Sequence, residues 1–117
     1  MRNFKELVVW QKAKGLVKDI YTVSTAFPSD EKFGITNQIR RAAVSITCNI
    51  SEGCGRNTDP DFARFLHMAA GSSTEVENLI YLCFDLGFIK EEIQNDLVQK
   101  ITEVQKMITG LNNSMKK

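Results

Sequence analysis

The chain has 117 residues, 43% of them hydrophobic and 25% charged, a size and balance that give one folded domain with a real core and exclude a disordered tail or a fibrous repeat. No apolar run approaches the ~20 residues that a membrane span requires, and the start MRNFKELVVWQK lacks the long apolar stretch of a secretory leader, so a cytoplasmic protein is expected. A formal net charge of +1 excludes a strongly basic, generic nucleic-acid binder.

The breaks FPSDEKFGI, GRNTDP and LGFIK divide the chain into four periodic segments. The first helix is predicted from Lys5 to Ala26, with Val9, Trp10, Ala13, Leu16, Val17, Ile20 and Ser24 in one stripe and Pro28 as its stop. In that reading Lys5 and Lys12 flank one side of the stripe while Lys14 and Lys18 flank the other. The second helix takes Thr36 as its N-cap and buries Ile39, Ala42, Ala43, Ile46, Ile50 and Gly53, a small-residue side that permits close helix approach.

The third helix opens at Asp59-Pro60, a capping residue followed by proline where a missing N–H costs nothing. Phe62, Phe65, Leu66, Ala69, Ser73, Val76, Ile80 and Cys83 line its core face, and Gly87 supplies a left-handed C-cap. The fourth helix, Lys90 to Asn112, carries Ile93, Leu97, Ile101, Val104, Ile108, Leu111 and Met115 at spacings of four and three, a coiled-coil-like seam. Strand signals are weak throughout. An all-α, antiparallel up-and-down four-helix bundle spanning residues 1–117 as one domain is the expected fold.

Two helices carry more polar surface than a bundle helix needs. Arg41, Ser45, Cys48, Asn49 and Glu52 stack along one side of the second helix, three or four residues apart. Outside the core stripe of the third helix lie Arg64, Met68, Gly71, Glu75, Asn78 and Leu82, a mixture of small, apolar and charged groups. A solvated face and an oligomer interface both fit. In the second case small Gly71 and Ser72 admit close contact, and Arg41 or Arg64 meets Glu52 or Glu75 of another helix or chain.

Reaction chemistry is missing from the pattern. There is no Glu-x-x-His repeat for a di-iron site, no phosphate-cradling glycine motif, and no sequence feature places the single His67 beside a nucleophile. Cys48, Cys54 and Cys83 form no CxxC pair and read as reduced structural thiols. Neither a metal nor a cofactor is expected, and a non-enzymatic protein is. The charge is also segregated: Met1 to Pro28 carries +3, Thr36 to Arg56 carries +2, and Asp59 to Leu86 carries −4.

LVVWQKA near the start, FP before the first loop, QIRRAAVSITCNISEG in the second helix and FARFLHMAAGSSTEVE in the third resemble the bacterial four-helix-bundle proteins named for 23S rRNA intervening sequences. That resemblance implies an antiparallel four-helix bundle that commonly assembles into a homopentameric ring, most members having no assigned activity. A related group, the accessory variability proteins of diversity-generating retroelements, looks like the same bundle and pentamer, and there a basic surface engages RNA and a reverse transcriptase. The near-neutral charge of this chain departs from that pattern, because affinity for phosphates follows the number of cations that replace counterions.

Two expectations follow. The first is an oligomeric interaction scaffold whose subunit contacts use Arg41, Ser45, Asn49, Glu52, Arg64, Gly71, Glu75 and Leu82. The second is an RNA-binding accessory protein in which Lys5, Lys12, Lys14, Lys18, Arg40 and Arg56 contact phosphates, oligomerisation multiplying a weak basic surface. Aromatic stacking platforms are scarce on the expected surface, so such binding would be driven by the backbone and sensitive to salt.

Overall fold

The computed structural model describes residues 2–116, and its four long helices are α1 (Val8–Ser24), α2 (Ile35–Cys54), α3 (Asp59–Asp85) and α4 (Glu91–Ser114). No strand occurs among the described residues. Helices adjacent in the chain are adjacent in space, α4 closes against α1, and the diagonal pairs make no close backbone approach. The result is a four-helix bundle of 45 × 24 × 20 Å. Every core position expected on α2 and α3 is buried, and Thr36, Cys54 and Leu79 join them.

The helix ends differ from the sequence expectation at both ends of α1 and at the starts of α2 and α3, each for a local reason. The chain begins with a short 3-10 turn, Phe4–Glu6, which the Asn3 side chain caps by accepting from the Lys5 N–H at 3.1 Å. Leu7 is then extended at φ −75° and ψ 125°, so α1 starts only at Val8. Lys5 therefore lies outside the helical register assumed for it. At the other end α1 stops at Ser24, where the Ser24 and Thr25 hydroxyls both donate back to the Tyr21 carbonyl.

The N-cap of α2 is Gly34 rather than Thr36, whose side chain is buried in the bundle. Glu31 does the capping from the preceding loop, its Oε1 accepting from the Ile35 N–H at 3.3 Å. In α3 the cap is Thr58, one residue earlier than expected, with its Oγ1 accepting from the Asp61 N–H at 3.2 Å. The far end of α3 follows expectation. Gly87 has φ +80°, Phe88 N–H donates to Cys83 O and Gly87 N–H to Phe84 O, the paired bonds of a left-handed helix stop.

The closest helix contact is between α2 and α3. A Cβ placed on Gly53 would sit 2.8 Å from Cδ1 of Phe62 and 2.9 Å from Cβ of Phe65, both buried. The α1–α4 seam is held differently, by Lys12–Glu103 at 3.2 Å and by Lys100 between Asp19 at 2.7 Å and Asp96 at 3.0 Å. Hydrogen bonds that the Lys100 ammonium donates, first to Asp19 and then to Asp96, hold it above its ordinary pKa. Exposed pairs of this kind contribute at most about 1 kcal/mol each.

Gly53→Ala is expected to destabilise the fold by about 1–3 kcal/mol, because neither ring nor backbone can yield without shifting a helix. Gly110→Ala in α4, where an added Cβ meets nothing within 4 Å, is expected to stabilise by about 0.5–1 kcal/mol. Urea unfolding followed by circular dichroism measures both.

Candidate functional site

The outer face shared by α2 and α3 gathers half of the eight residues singled out for assembly. Ser45 Oγ and Ser72 Oγ are hydrogen-bonded at 2.9 Å across the helix pair, and Asn49 Nδ2 donates to the Ser45 carbonyl at 2.9 Å and to its Oγ at 3.1 Å. Further along, Gln38 Nε2 donates to Glu75 Oε2 at 3.5 Å. Between these contacts runs a shallow trough of about 470 Å³, lined by Phe33, Gln38, Arg41, Ser45, Ser72 and Glu75. Arg41, Ser45 and Glu75 are thus brought together, with Asn49 adjoining them.

Glu52, Arg64 and Leu82 stand apart from the trough. Glu52 pairs with Arg56 at 3.4 Å, and Arg64 pairs with Asp61 at 3.1 Å. Both guanidinium groups also lie over the Phe65 ring, Arg56 at 4.6 Å and Arg64 at 4.5 Å. Leu82 is 41% exposed near the C-terminal end of α3, and Gly71 leaves open space above its backbone.

The arginines share one habit. Arg2 rests over Phe62 and Arg40 over Tyr21, so that four of the five sit on an aromatic ring, where the planar cation gains from the ring's negative face. Arg40 is tied down further by donating to Ser24 Oγ at 2.8 Å and to the Tyr21 carbonyl at 3.4 Å. Arg2 joins three helix ends: its N–H donates to Cys54 O, its guanidinium pairs with Asp59 at 2.9 Å, and it reaches Met115 Sδ at 3.7 Å. Arg41 is the exception. Exposed on α2, it has neither a ring nor an ion pair among the described residues.

The basic residues considered for nucleic acid divide in the same way. Arg40 and Arg56 serve internal contacts, and Lys12 is bridged to Glu103. Lys5, Lys14 and Lys18 are exposed and make no ion pair among the described residues. Together with Trp10, Gln11 and Gly15 they line one trough on the outer side of α1. Lys5 is on that side because the 3-10 turn redirects it, and Gln11 Nε2 anchors the turn by donating to the Lys5 carbonyl at 2.9 Å. The structure places Lys5 with Lys14 and Lys18, whereas the helical projection paired it with Lys12.

The family model described as 23S rRNA-intervening sequence protein matches residues 5–110 of this chain. The chain belongs to that family. A crystal structure of a Bacteroides thetaiotaomicron protein of unknown function from the S23 ribosomal protein family is similar at a TM-score of 0.81 and 24% identity, covering 90% of this chain and 98% of that one. At that identity the likeness concerns the fold. None of the curated proteins matches the chain.

Several residues of this family member's α2–α3 face escape a reading of the sequence. Gln38 acquires its role from Glu75 on the neighbouring helix, 37 positions away, and Ser72, read from the sequence only as a small residue, gains a hydrogen-bond partner in Ser45, 27 positions away. Phe33, in the loop before α2, is 88% exposed on the rim of the trough. Its signal is an isolated aromatic residue outside any periodic stripe.

The thiols also separate by position. Cys48 is exposed on α2, whereas Cys54 and Cys83 are buried. Burial raises the Cys54 thiol pKa against the opposing pull of Arg2, and pushes Cys83 up to about 11. A raised thiol pKa favours the fold while the unfolded thiol is still protonated, and that contribution fades as pH rises from about 9 to about 11. Cys83→Ala is therefore expected to flatten the loss of stability across this window relative to the parent, measured by denaturant titration at successive pH values. In thiol-labelling kinetics on the folded chain, Cys54 and Cys83 are expected to stay unreactive until unfolding.

Proposed function

We propose that this chain is a non-catalytic protein that binds copies of itself through the outer face of α2 and α3. The observation that carries the reading is Arg41, the one arginine without a ring or an ion pair among the described residues, standing in the same trough as Glu75. A second copy supplies what the trough lacks, a carboxylate for Arg41 and a cation for Glu75. Exposed apolar groups on the same helix pair, Met68 at 40% and Leu82 at 41%, together with Phe33 on the trough rim, provide area to bury. Gly71 and the Ser45–Ser72 pair keep the centre low, so that two backbones can approach.

Where Arg41 meets the Glu75 of one neighbouring copy and Glu75 meets the Arg41 of another, the contact is head-to-tail and closes into a ring when its rotation permits. The resemblance to the family's ring-forming members supports a closed assembly of about five chains. No helix among the described residues is long and apolar enough to cross a membrane, so a membrane does not supply the partner for these apolar groups through a spanning helix.

Light scattering coupled to size exclusion is expected to give an oligomer that persists on dilution. Glu75→Arg and Arg41→Glu each place like charges together at the contact, at a cost of several kcal/mol, and each is expected to yield monomers with unchanged helix content. Cys48 provides a second readout: slow to label in the parent assembly and fast in either variant. A parent that stays monomeric at high concentration, or variants that assemble as the parent does, would falsify the proposal.

A further inference from the structure

We infer that residues 2–7 form a strap across one end of the bundle, latched by Arg2, that swings open about Leu7 while the four helices stay folded. Four contacts make the latch. The Arg2 N–H donates to Cys54 O at 3.1 Å, and its guanidinium pairs with Asp59 at 2.9 Å. The same guanidinium stands 4.5 Å above the Phe62 ring and reaches Met115 Sδ at 3.7 Å. One residue thereby holds the end of α2, the start of α3 and the end of α4. Behind it the 3-10 turn Phe4–Glu6 lies against α1 and α2, with the Phe4 ring edge-on to Trp10 at 5.0 Å. Cys54 and Phe62, to which the latch is fastened, are fully buried. The Arg2 charge also acts on the Cys54 thiol, pulling its pKa down against the larger effect of burial, as a cation near the sulfur must.

Three features make the strap separable from the bundle. None of residues 2–7 is fully buried, and the core is complete without them, Phe4 and Leu7 resting half-buried against it. The strap's attachments are individually weak: a half-exposed ion pair, one cation–π contact and single hydrogen bonds, against the packing of four long helices. A hinge is already present, because Leu7 is extended and no side chain caps the start of α1. A change in the Leu7 backbone angles unwinds no turn of α1, and one side-chain bond, from Gln11 Nε2 to the Lys5 carbonyl, crosses the hinge. Segments held in this way open locally at a small fraction of the cost of global unfolding. Opening wets Cys54 and one face of Phe62. Cys83, buried near the other end of α3, stays covered.

The two buried thiols therefore read local and global opening separately. Cys48→Ser removes the exposed thiol, and in that background the full chain is labelled with a maleimide under native conditions, each site being followed by mass spectrometry after digestion. With the latch intact, Cys54 and Cys83 are expected to label together, at the rate of global unfolding. In Arg2→Ala, Cys54 is expected to run about tenfold ahead of Cys83, and in Asp59→Asn, which removes the ion pair alone, about threefold. Phe4→Ala acts at the other end of the strap and is expected to put Cys54 ahead in the same way. Trp10 is the only tryptophan, so its emission is expected to shift to the red in Arg2→Ala as the Phe4 ring leaves it. Glu103→Gln breaks an exposed ion pair on the α1–α4 seam and is expected to leave the two thiols labelling together. Equal acceleration of Cys54 and Cys83 in Arg2→Ala and Asp59→Asn would make Arg2 a stabiliser of the whole bundle and overturn the inference. Cys54 remaining as slow as Cys83 in both variants, or running ahead in Glu103→Gln as well, would overturn it too.

Discussion

Gly53 lets α2 and α3 come close enough for the rings of Phe62 and Phe65 to lie where a side chain would otherwise stand, and much of the remaining structure is arranged around that approach. About two turns along the same helix pair, the short hydroxyls of Ser45 and Ser72 reach each other across it, and beyond them the longer Gln38 and Glu75 bridge it. The same proximity brings Phe65 within reach of guanidinium groups from both helices, Arg56 from the end of α2 and Arg64 from the start of α3. The wide and low edge of the bundle is therefore a direct result of packing glycine against phenylalanine.

The α1–α4 side is built on another principle. Its backbones stay farther apart, and charged side chains span the gap: Lys12 to Glu103, and Lys100 to Asp19 and Asp96. Such pairs orient helices more than they stabilise them. Charge is divided accordingly between two kinds of cation. Four of the five arginines lie over an aromatic ring, as at Phe62, Tyr21 and Phe65, while most lysines leave their charge to solvent or to an exposed partner, Lys14 and Lys32 over Trp10 and Phe33 being the exceptions.

Hydrophobic period made the bundle legible. The isoleucines of α2, the Phe62 to Cys83 stripe of α3 and the Leu97 to Ile108 seam of α4 recur at helical spacing over several turns, and no other arrangement buries them all. Helix ends were less legible because they depend on one side chain each: Glu31 caps α2 from four residues away, and Thr58 reaches Asp61 before Asp59 is needed. The candidate faces lay between these extremes. Helical projection grouped Arg41 with Ser45 and Asn49 correctly, since all are on one helix. It could not show that Arg40 and Arg56 are consumed by rings and carboxylates, nor that a 3-10 turn carries Lys5 across to Lys14 and Lys18, because those outcomes depend on contacts beyond a single helix.

The square order of the helices sets α1 and α3 on opposite corners of a bundle only 24 × 20 Å across. The trough on the outer side of α1 shares no lining residue with the one between α2 and α3, so a contact seated in the second leaves the first open in each copy. A feature too weak to hold a ligand in one chain becomes a row of equivalent sites in an assembly, where the second engagement starts from a high local concentration. Strength of binding would then be set by the number of chains joined rather than by the charge of any one of them, and a nearly neutral sequence loses little by remaining so.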